Sequence, residues 1–380
     1  MNKLCRDLGI EYPIFAFSHC RDVVAAVTRA GGMGVLGVVA MSPEEIDIEL
    51  TWLEEQCGDK PFAVDVVFPA KTADRELALA DSATVFDALN KQIPPGHIEF
   101  AEQLMAQHGV PTVAGGSRFE PGKGRGAVGL TSSYGAQQVE AVFAHRNRLI
   151  VSALGVPPKA VVDRAHDSGA MVATLVGKPE HVAKSAGVGI DIYVAQSYEA
   201  AAHTGEIGSM VLIPDVVDVA GGVPVLAAGG IGTGRQMAAA MALGAQGVWT
   251  GSIWLTTHES STDERTIARM LEMKATDTVR SKSQTGKFNR QMRTAWTQAW
   301  DGPDSPGNLP MPLQQMLYSE YTARARRAGA YELVGGPVGQ IVGRMNKVRY
   351  SADIVLEIVE EYAETLERMS ALYTDLAGDE

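Results

Sequence analysis

The sequence is poor in cysteine, in positive charge and in long apolar runs, and each shortage excludes a class of protein. The three cysteines, Cys5, Cys20 and Cys57, show neither a CxxC pair nor metal-site spacing, so we expect free thiols and no metal. The formal net charge of −12 argues against binding to nucleic acid or an anionic membrane. No apolar run is long enough to span a membrane or to form a leader. We therefore expect a cytoplasmic protein whose partners are small molecules.

What remains is rich in small and apolar residues, with 46% hydrophobic residues and 40 glycines, a mixture typical of α/β enzymes. Short apolar runs alternate with helical patterns up to about residue 255. Continuous apolar strands between helices indicate a parallel sheet that is buried on both faces. Eight such units predict a closed (β/α)8 barrel, the TIM barrel. The runs lie at residues 11–17, 33–39, 61–68, 149–155, 171–177, 190–196, 224–230 and 247–252.

Local signals place several helix ends within this alternation. Ser42 before Pro43 is typical of a helix N-cap followed by proline at the first helical position. Gly31 and Gly244 stand where helices are expected to end. The segment 234–243 is almost entirely small and apolar on one side, so we expect it to pack closely against the barrel.

Two regions depart from the barrel pattern. Residues 69–148 form a long insertion after the third strand, either a surface excursion or a lid over the substrate pocket, and the pattern does not say whether 115–135 is ordered. Beyond residue 255 helical patterns take over, so 256–380 is predicted to be a mainly helical appendage packed on the barrel domain of residues 1–255. Its last helix is amphipathic with a Glu-rich face, which favours a solvated surface and leaves a homodimer open.

A predicted phosphate site lies at the ends of strands seven and eight. The seventh strand runs into Gly-Gly-Ile-Gly-Thr-Gly at residues 229–234 and then into a helix, while the eighth ends in Thr250-Gly251-Ser252. In barrels these two loops usually bind phosphate through bare backbone amides. A glycine-rich turn alone often serves only a tight bend, so the pairing of both loops carries the prediction. A Rossmann site is disfavoured because the G-x-G-x-x-G spacing is missing.

Motifs along most of the chain resemble those of the nitronate monooxygenases, formerly 2-nitropropane dioxygenases. The resemblance implies an FMN-dependent (β/α)8 flavoprotein and an oxidoreductase, specifically a monooxygenase. The motifs that carry it are LGIEYPI, AAVTRAGGMGVLG, LGVPP, AGVGIDIYVAQSYEAAAHTGEIGS, AAGGIGTG, GAQGVWTGS and TDTVRSKSQTGK.

The family motif Gln-Gly-x-Glu-Ala-Gly-Gly-His-x-Gly corresponds to residues 196–205. The resemblance implies that His203 is the catalytic acid/base and that Gln196 contacts the flavin. Three family glycines are Ser197, Ala201 and Ala202 here, which costs backbone freedom wherever φ is positive. Together with the phosphate loops, the resemblance implies the following flavin-binding positions: Ala16, Phe17, Asp65, Gln196, Ala228, Gly229, Gly230, Gly232, Trp249, Thr250, Gly251 and Ser252.

Two of these positions depart from the family pattern. The usual Gln-x-Pro-Met after the first strand is replaced by the segment 15–22, which alters the floor under the flavin. Asp65 stands where the family has Asn beside the pyrimidine edge of the flavin. A carboxylate there accepts from N3–H but disfavours an anionic reduced flavin unless it is protonated or paired, and Arg21 or His19 could supply a partner.

The resemblance implies that alkyl nitronates and nitroalkanes react with O2 to give a carbonyl compound and nitrite, with His203 removing a proton from the neutral nitroalkane. An alternative is an NAD(P)H-dependent flavin reductase or dehydrogenase of enoyl- or acyl-CoA thioesters. The rewritten first loop and the insertion, which contains Lys123 and Arg125, favour that bulkier substrate. A flavin-binding protein without turnover is a third reading, which the presence of His203 disfavours.

Overall fold

A computed structural model describes residues 2–68, 88–112 and 132–377. Eight parallel strands close into a barrel in sequence order, which confirms the predicted (β/α)8 fold. Each predicted apolar run contains or overlaps one strand. The strands are Ile14–Ser18 (β1), Met33–Gly37 (β2), Ala63–Val66 (β3), Leu149–Ser152 (β4), Met171–Val176 (β5), Ile192–Gln196 (β6), Val225–Ala228 (β7) and Gly247–Thr250 (β8).

The helices begin and end close to the positions that the sequence signals indicate. Ser42 caps its helix in a capping box with Glu45, and Gly31 and Gly244 follow helix ends with φ of 96° and 99°. Those within the described residues are Lys3–Leu8 (α1), Arg21–Arg29 (α2), Pro43–Cys57 (α3), Pro95–Gln107 (α4), Ser132–Phe143 (α5), Lys159–Asp167 (α6), Pro179–Lys184 (α7), Ser209–Val219 (α8), Gly234–Ala242 (α9), Glu264–Glu272 (α10), Ala295–Trp300 (α11), Leu313–Ala328 (α12) and Ser351–Ala377 (α13).

The barrel strands bury both of their faces. Along β3, Ala63 joins the cluster that fills the barrel interior, whereas Val64 and Val66 join the cluster beneath the helices. Because side chains alternate along a strand, Asp65 points into the barrel on the same side as Ala63. The interior is therefore packed with side chains up to the carboxyl ends of the strands, where the loops form a mouth.

The C-terminal region holds helices, as expected, but it also holds a small antiparallel sheet that the sequence pattern did not reveal. Thr278–Ser281 (β9) pairs with Asn289–Met292 (β10), with Arg290 opposite Arg280. Both strands are short and rich in polar residues, so no apolar run marks them. This hairpin lies beside the loop that follows β6, since Ala202 and Arg290 form an antiparallel bridge.

Helix α9 packs against the last helix as well as against the barrel. A side chain at Gly234 would collide with the backbone of Ile358 and Tyr362 in α13, so glycine permits the close approach. Among the described residues, no helix is long and apolar enough to cross a membrane.

Part of the insertion belongs to the C-terminal core. Leu104 and Met105 of α4 pack in one cluster with Trp296 and Trp300. Glu102 forms a bidentate ion pair with Arg324, with N–O distances of 2.6 and 3.0 Å. Helix α4 is therefore fixed to the appendage. Residues 69–87 and 113–131, with Lys123, Arg125 and most of the 115–135 segment, lie outside the described residues.

Candidate functional site

The residues predicted to hold the flavin lie together at the carboxyl ends of the barrel strands. Neighbouring strands place Gln196 opposite Ala228, Ala228 opposite Trp249, and Ala16 opposite Thr250. Asp65 lies one residue before the end of β3. Active sites of such barrels occupy this end, so the fold brings residues far apart in sequence to one mouth.

Stacked aromatic rings form part of the floor of the mouth. Trp249 stacks on Phe17 with centroids 6.1 Å apart and on Phe15 at 6.4 Å, and the edge of His19 meets Phe17 at 5.1 Å. Gly37 lies against the rings of both Phe17 and His19, where a side chain would come within 2.8 Å of each. The segment that replaces the family's Gln-x-Pro-Met thus supplies rigid apolar rings.

Asp65 is a buried carboxyl at the mouth with only 4% of its surface exposed. No residue within the described ranges donates a hydrogen bond to its side chain. Burial raises its pKa well above the ordinary value for aspartic acid. A neutral carboxyl both donates and accepts hydrogen bonds, so it removes the electrostatic objection to a reduced flavin beside it.

The two partners suggested for Asp65 are engaged elsewhere. The Nδ1 atom of His19 lies 2.7 Å from the carbonyl oxygen of Gly37, and Arg21 forms an ion pair with Glu49 at 3.5 Å. Arg21 also lies 4.5 Å above the ring of Trp52. Neither residue forms a hydrogen bond or an ion pair with Asp65. Protonation of the buried carboxyl therefore fits the structure better than pairing with a cation.

Bare backbone forms a cradle between the ends of β7 and β8. Gly229 and Gly230 have φ of 111° and 71°, a region that favours glycine, and a side chain at Gly229 would collide with Ser197. A side chain at Gly251 would meet only open space. Within the described residues, the amides of Gly229, Gly230 and Gly251 donate no hydrogen bond to the protein. Such unpaired donors fit a phosphate group.

The N-terminus of helix α9 contributes fewer free amides to this cradle than its sequence position suggests. Glu361 accepts from the amide of Gly234 at 2.7 Å, and Gln236 accepts from the amide of Gly232 at 3.0 Å. A carboxylate of the protein itself therefore caps the helix. The free donors lie in the loops, at the predicted phosphate site.

A cavity of about 390 Å³ adjoins the cradle at Gly230. Its lining includes Gln236 and two cationic residues, Lys274 and Arg344. The lining also includes the carboxylate of Glu199, which accepts hydrogen bonds from Ser209, so the two cations leave a positive balance next to the unpaired amides.

His203 lies in the loop after β6, on the same side of the barrel as the cradle. It is partly buried, and its Nδ1 atom lies 3.3 Å from the carbonyl oxygen of Phe288. Burial lowers the pKa of His203, and the positive charge of Lys287 lowers it further, whereas the carbonyl of Phe288 raises it. A neutral ring that donates from Nδ1 keeps the lone pair of Nε2 free. This arrangement suits a base.

The glycine replacements around His203 have different structural consequences. Ala202 has φ of 60°, and it is the one non-glycine residue with positive φ among those the structure describes. One of the three replaced glycines therefore lies at a position with positive φ, a region that a β-carbon disfavours. Ser197 is fully buried and its hydroxyl has no hydrogen-bond partner within the described residues.

A family model described as nitronate monooxygenase matches residues 4–361. The chain belongs to the nitronate monooxygenase family. The protein named "Putative monooxygenase Rv1533" of Mycobacterium tuberculosis is 47% identical over 373 residues, which cover 96% of this chain and 97% of that one. A "Probable nitronate monooxygenase" of Staphylococcus aureus is 25% identical over 348 residues, covering 87% and 89%. Family membership makes the chain a flavin-dependent oxidoreductase and confirms the resemblance.

Two solved structures share the fold of this family member. A nitroalkane oxidase from Streptomyces ansochromogenes superposes with a TM-score of 0.78 at 22% identity, covering 97% of this chain and 100% of that one. FabK from Thermotoga maritima superposes with a TM-score of 0.72 at 22% identity, covering 98% and 99%. Both extend over nearly the whole chain, so the appendage belongs to the shared architecture.

Several residues that hold the histidine loop of this nitronate monooxygenase family member have no recognisable signal in the sequence. Phe288 contacts His203 through a backbone carbonyl, which no side-chain pattern reveals. Arg290 lies in the TGKFNR segment, part of which was quoted as a family motif. In the sequence, Arg290 is marked only by a nearby glycine and asparagine. These residue types do not by themselves indicate a contact with the barrel.

Proposed function

We propose that the protein binds FMN and oxidises alkyl nitronates and nitroalkanes with O2 to a carbonyl compound and nitrite, with His203 as the base. The observation that carries the proposal is the position of the partly buried His203, with Nδ1 against the carbonyl of Phe288, at the same barrel mouth as the unpaired amides of Gly229 and Gly251. Burial lowers the pKa of His203, which favours the neutral ring. A base with a pKa near or below neutrality is suited to removing a proton from carbon next to a nitro group.

The residues of the mouth divide the work of binding and proton transfer. The amides of the cradle would hold the phosphate, the rings of Phe17 and Trp249 would support an apolar planar group, and Asp65 would offer a hydrogen-bonding carboxyl to its polar edge. When bound, the flavin supplies the electron-accepting chemistry. His203 accepts the proton at Nε2, and the carbonyl of Phe288 stabilises the resulting imidazolium through Nδ1–H.

The test is an oxygen-uptake and nitrite assay on the purified, flavin-loaded protein. We expect O2 consumption and nitrite release with both propyl nitronate and neutral 1-nitropropane. Denaturation should release FMN; release of FAD would contradict the cradle assignment. Absence of nitrite with both substrates from fully loaded protein would refute the nitronate oxidation.

A second candidate function is supported by the charge of the C-terminal hairpin. Residues 278–293 contain five cationic residues and no acidic residue in a chain of net charge −12. Lys282 lies 4.8 Å above the ring of Phe288, and Lys287 precedes that residue, so positive charge flanks His203. A polyanionic substrate such as NAD(P)H or an acyl-CoA thioester would be complementary. Anaerobic bleaching of the flavin by NAD(P)H but not by propyl nitronate would favour this function over the first.

A further inference from the structure

The loop that carries His203 is held by a strand of the C-terminal appendage. Ala202 and Arg290 exchange two backbone hydrogen bonds, of 3.0 Å from the Ala202 amide and 2.8 Å from the Arg290 amide. This is an antiparallel bridge between the loop and β10. It lies directly beside His203 in sequence, so the backbone that precedes the histidine is fixed from outside the barrel.

The side chain of Arg290 fixes a second point of the same loop. It is only 2% exposed, and its Nε donates to the carbonyl oxygen of Tyr198 at 3.0 Å. Its Nη1 donates to Thr278 on the partner strand β9 at 3.0 Å, and the guanidinium lies 4.5 Å above the Tyr198 ring. One residue thus links two points of the loop, Tyr198 and Ala202, to the hairpin.

The backbone of the loop requires such support. The φ of 60° at Ala202 is disfavoured for a residue with a β-carbon, and it persists where surrounding contacts hold it. Phe288 lies two residues before Arg290, immediately before β10, and its carbonyl oxygen is 3.3 Å from Nδ1 of His203. The hairpin therefore determines both the path of the loop and the orientation of the ring.

We propose that Arg290 is a positioning residue for His203, so that the C-terminal hairpin, rather than the barrel, orients the base. This inference rests on the proposed function, in which His203 removes a proton from a neutral nitroalkane. A substrate supplied as the nitronate has already lost that proton. Loss of Arg290 should therefore slow the neutral substrate while turnover of the nitronate remains.

The test compares Arg290→Lys and Arg290→Gln with the matched control Arg293→Gln, which removes an exposed arginine from the same segment. The ratio of kcat/KM for 1-nitropropane to that for propyl nitronate should fall roughly 10- to 100-fold in Arg290→Gln, because small misplacements of a reacting group have effects of that size. Arg290→Lys should lie between, since an ammonium cannot reproduce the fork of the guanidinium. Arg293→Gln should keep the ratio.

A second measurement is independent of activity. We expect NMR titration of the ring proton signal that disappears in His203→Asn to give a higher pKa in Arg290→Lys than in the wild type, because a loosened loop exposes the ring to water. An unchanged ratio of the two kcat/KM values, or an unchanged His203 pKa, in folded, flavin-loaded variants would overturn the inference. If the wild type oxidises neither substrate, the proposed function fails, and the titration alone decides the role of Arg290.

Discussion

The two halves of the mouth are built in different ways. The cradle around Gly229 and Gly251 consists of backbone from adjacent strands, and its shape follows from glycines that the local sequence displays. The loop around His203 depends on Arg290, 87 residues further along the chain, and on an alanine in a conformation that glycine prefers. The half proposed to hold the cofactor is therefore locally encoded, whereas the half proposed to carry the base depends on tertiary contacts. The following predictions separate the two halves by changing one and measuring both.

The largest effect is expected from His203→Asn. Loss of a general base typically slows proton transfer by about 10²- to 10⁴-fold, so turnover of 1-nitropropane should fall by that factor. Propyl nitronate should still be oxidised and FMN should remain bound, because the cradle does not involve the imidazole. Rates and bound flavin are measured on the same preparation. Equal turnover of 1-nitropropane by variant and wild type would remove His203 from the mechanism.

Gly229→Ala should disable the cradle instead. The new β-carbon would collide with Ser197 at a φ of 111°, so the loop must move and lose charge-assisted hydrogen bonds to phosphate. Each such bond contributes about 1.5–3 kcal/mol, so FMN affinity should fall at least about tenfold.

The matched control is Gly222→Ala, with φ of 89° and open space around it. This variant has the backbone cost without the collision, and its FMN affinity should match the wild type. Flavin binding is measured by flavin fluorescence. Equal weakening in both variants would show that the cradle is not the phosphate site.

Asp65→Asn tests the buried acid near the end of β3, which belongs to neither half. Because the pKa of Asp65 is raised in the folded protein, that protein binds a proton which the unfolded chain releases, and stability falls as pH rises from the unfolded pKa through the folded pKa. The variant should lose this pH dependence and should gain stability relative to the wild type as pH rises. Urea unfolding at several pH values measures the difference. Parallel pH profiles would show that Asp65 is ionised in the folded state.

The smallest effect is expected from Lys287→Ala. The positive charge of Lys287 lowers the pKa of His203, so its removal should raise that pKa and shift the acid limb of kcat/KM for neutral nitroalkane to higher pH. The limb for the wild type should lie below the ordinary histidine pKa of about 6.5. FMN binding should not change. An acid limb that moves to lower pH would contradict the assignment of the limb to His203.

The same contrast explains how much could be predicted from the sequence. The eight strands, the glycine loops and several helix ends were predictable because apolar runs, positive-φ glycines such as Gly244 and helix caps such as Ser42 act over a few residues. The carboxylate cap of α9 was not, since Glu361 lies 127 residues from Gly234. The hairpin β9–β10 was missed because residues such as Arg280 and Gln291 give it no apolar period. The family motif supplied His203, but only the structure shows what holds it.

The central claim is that His203 removes a proton from the substrate at a flavin site. The most direct test is anaerobic single-turnover reduction of the bound flavin by 1-nitropropane that is deuterated at the carbon bearing the nitro group. We expect slower reduction than with the undeuterated substrate and no such difference for the preformed nitronate. Equal rates for deuterated and undeuterated 1-nitropropane in the single turnover would contradict the account.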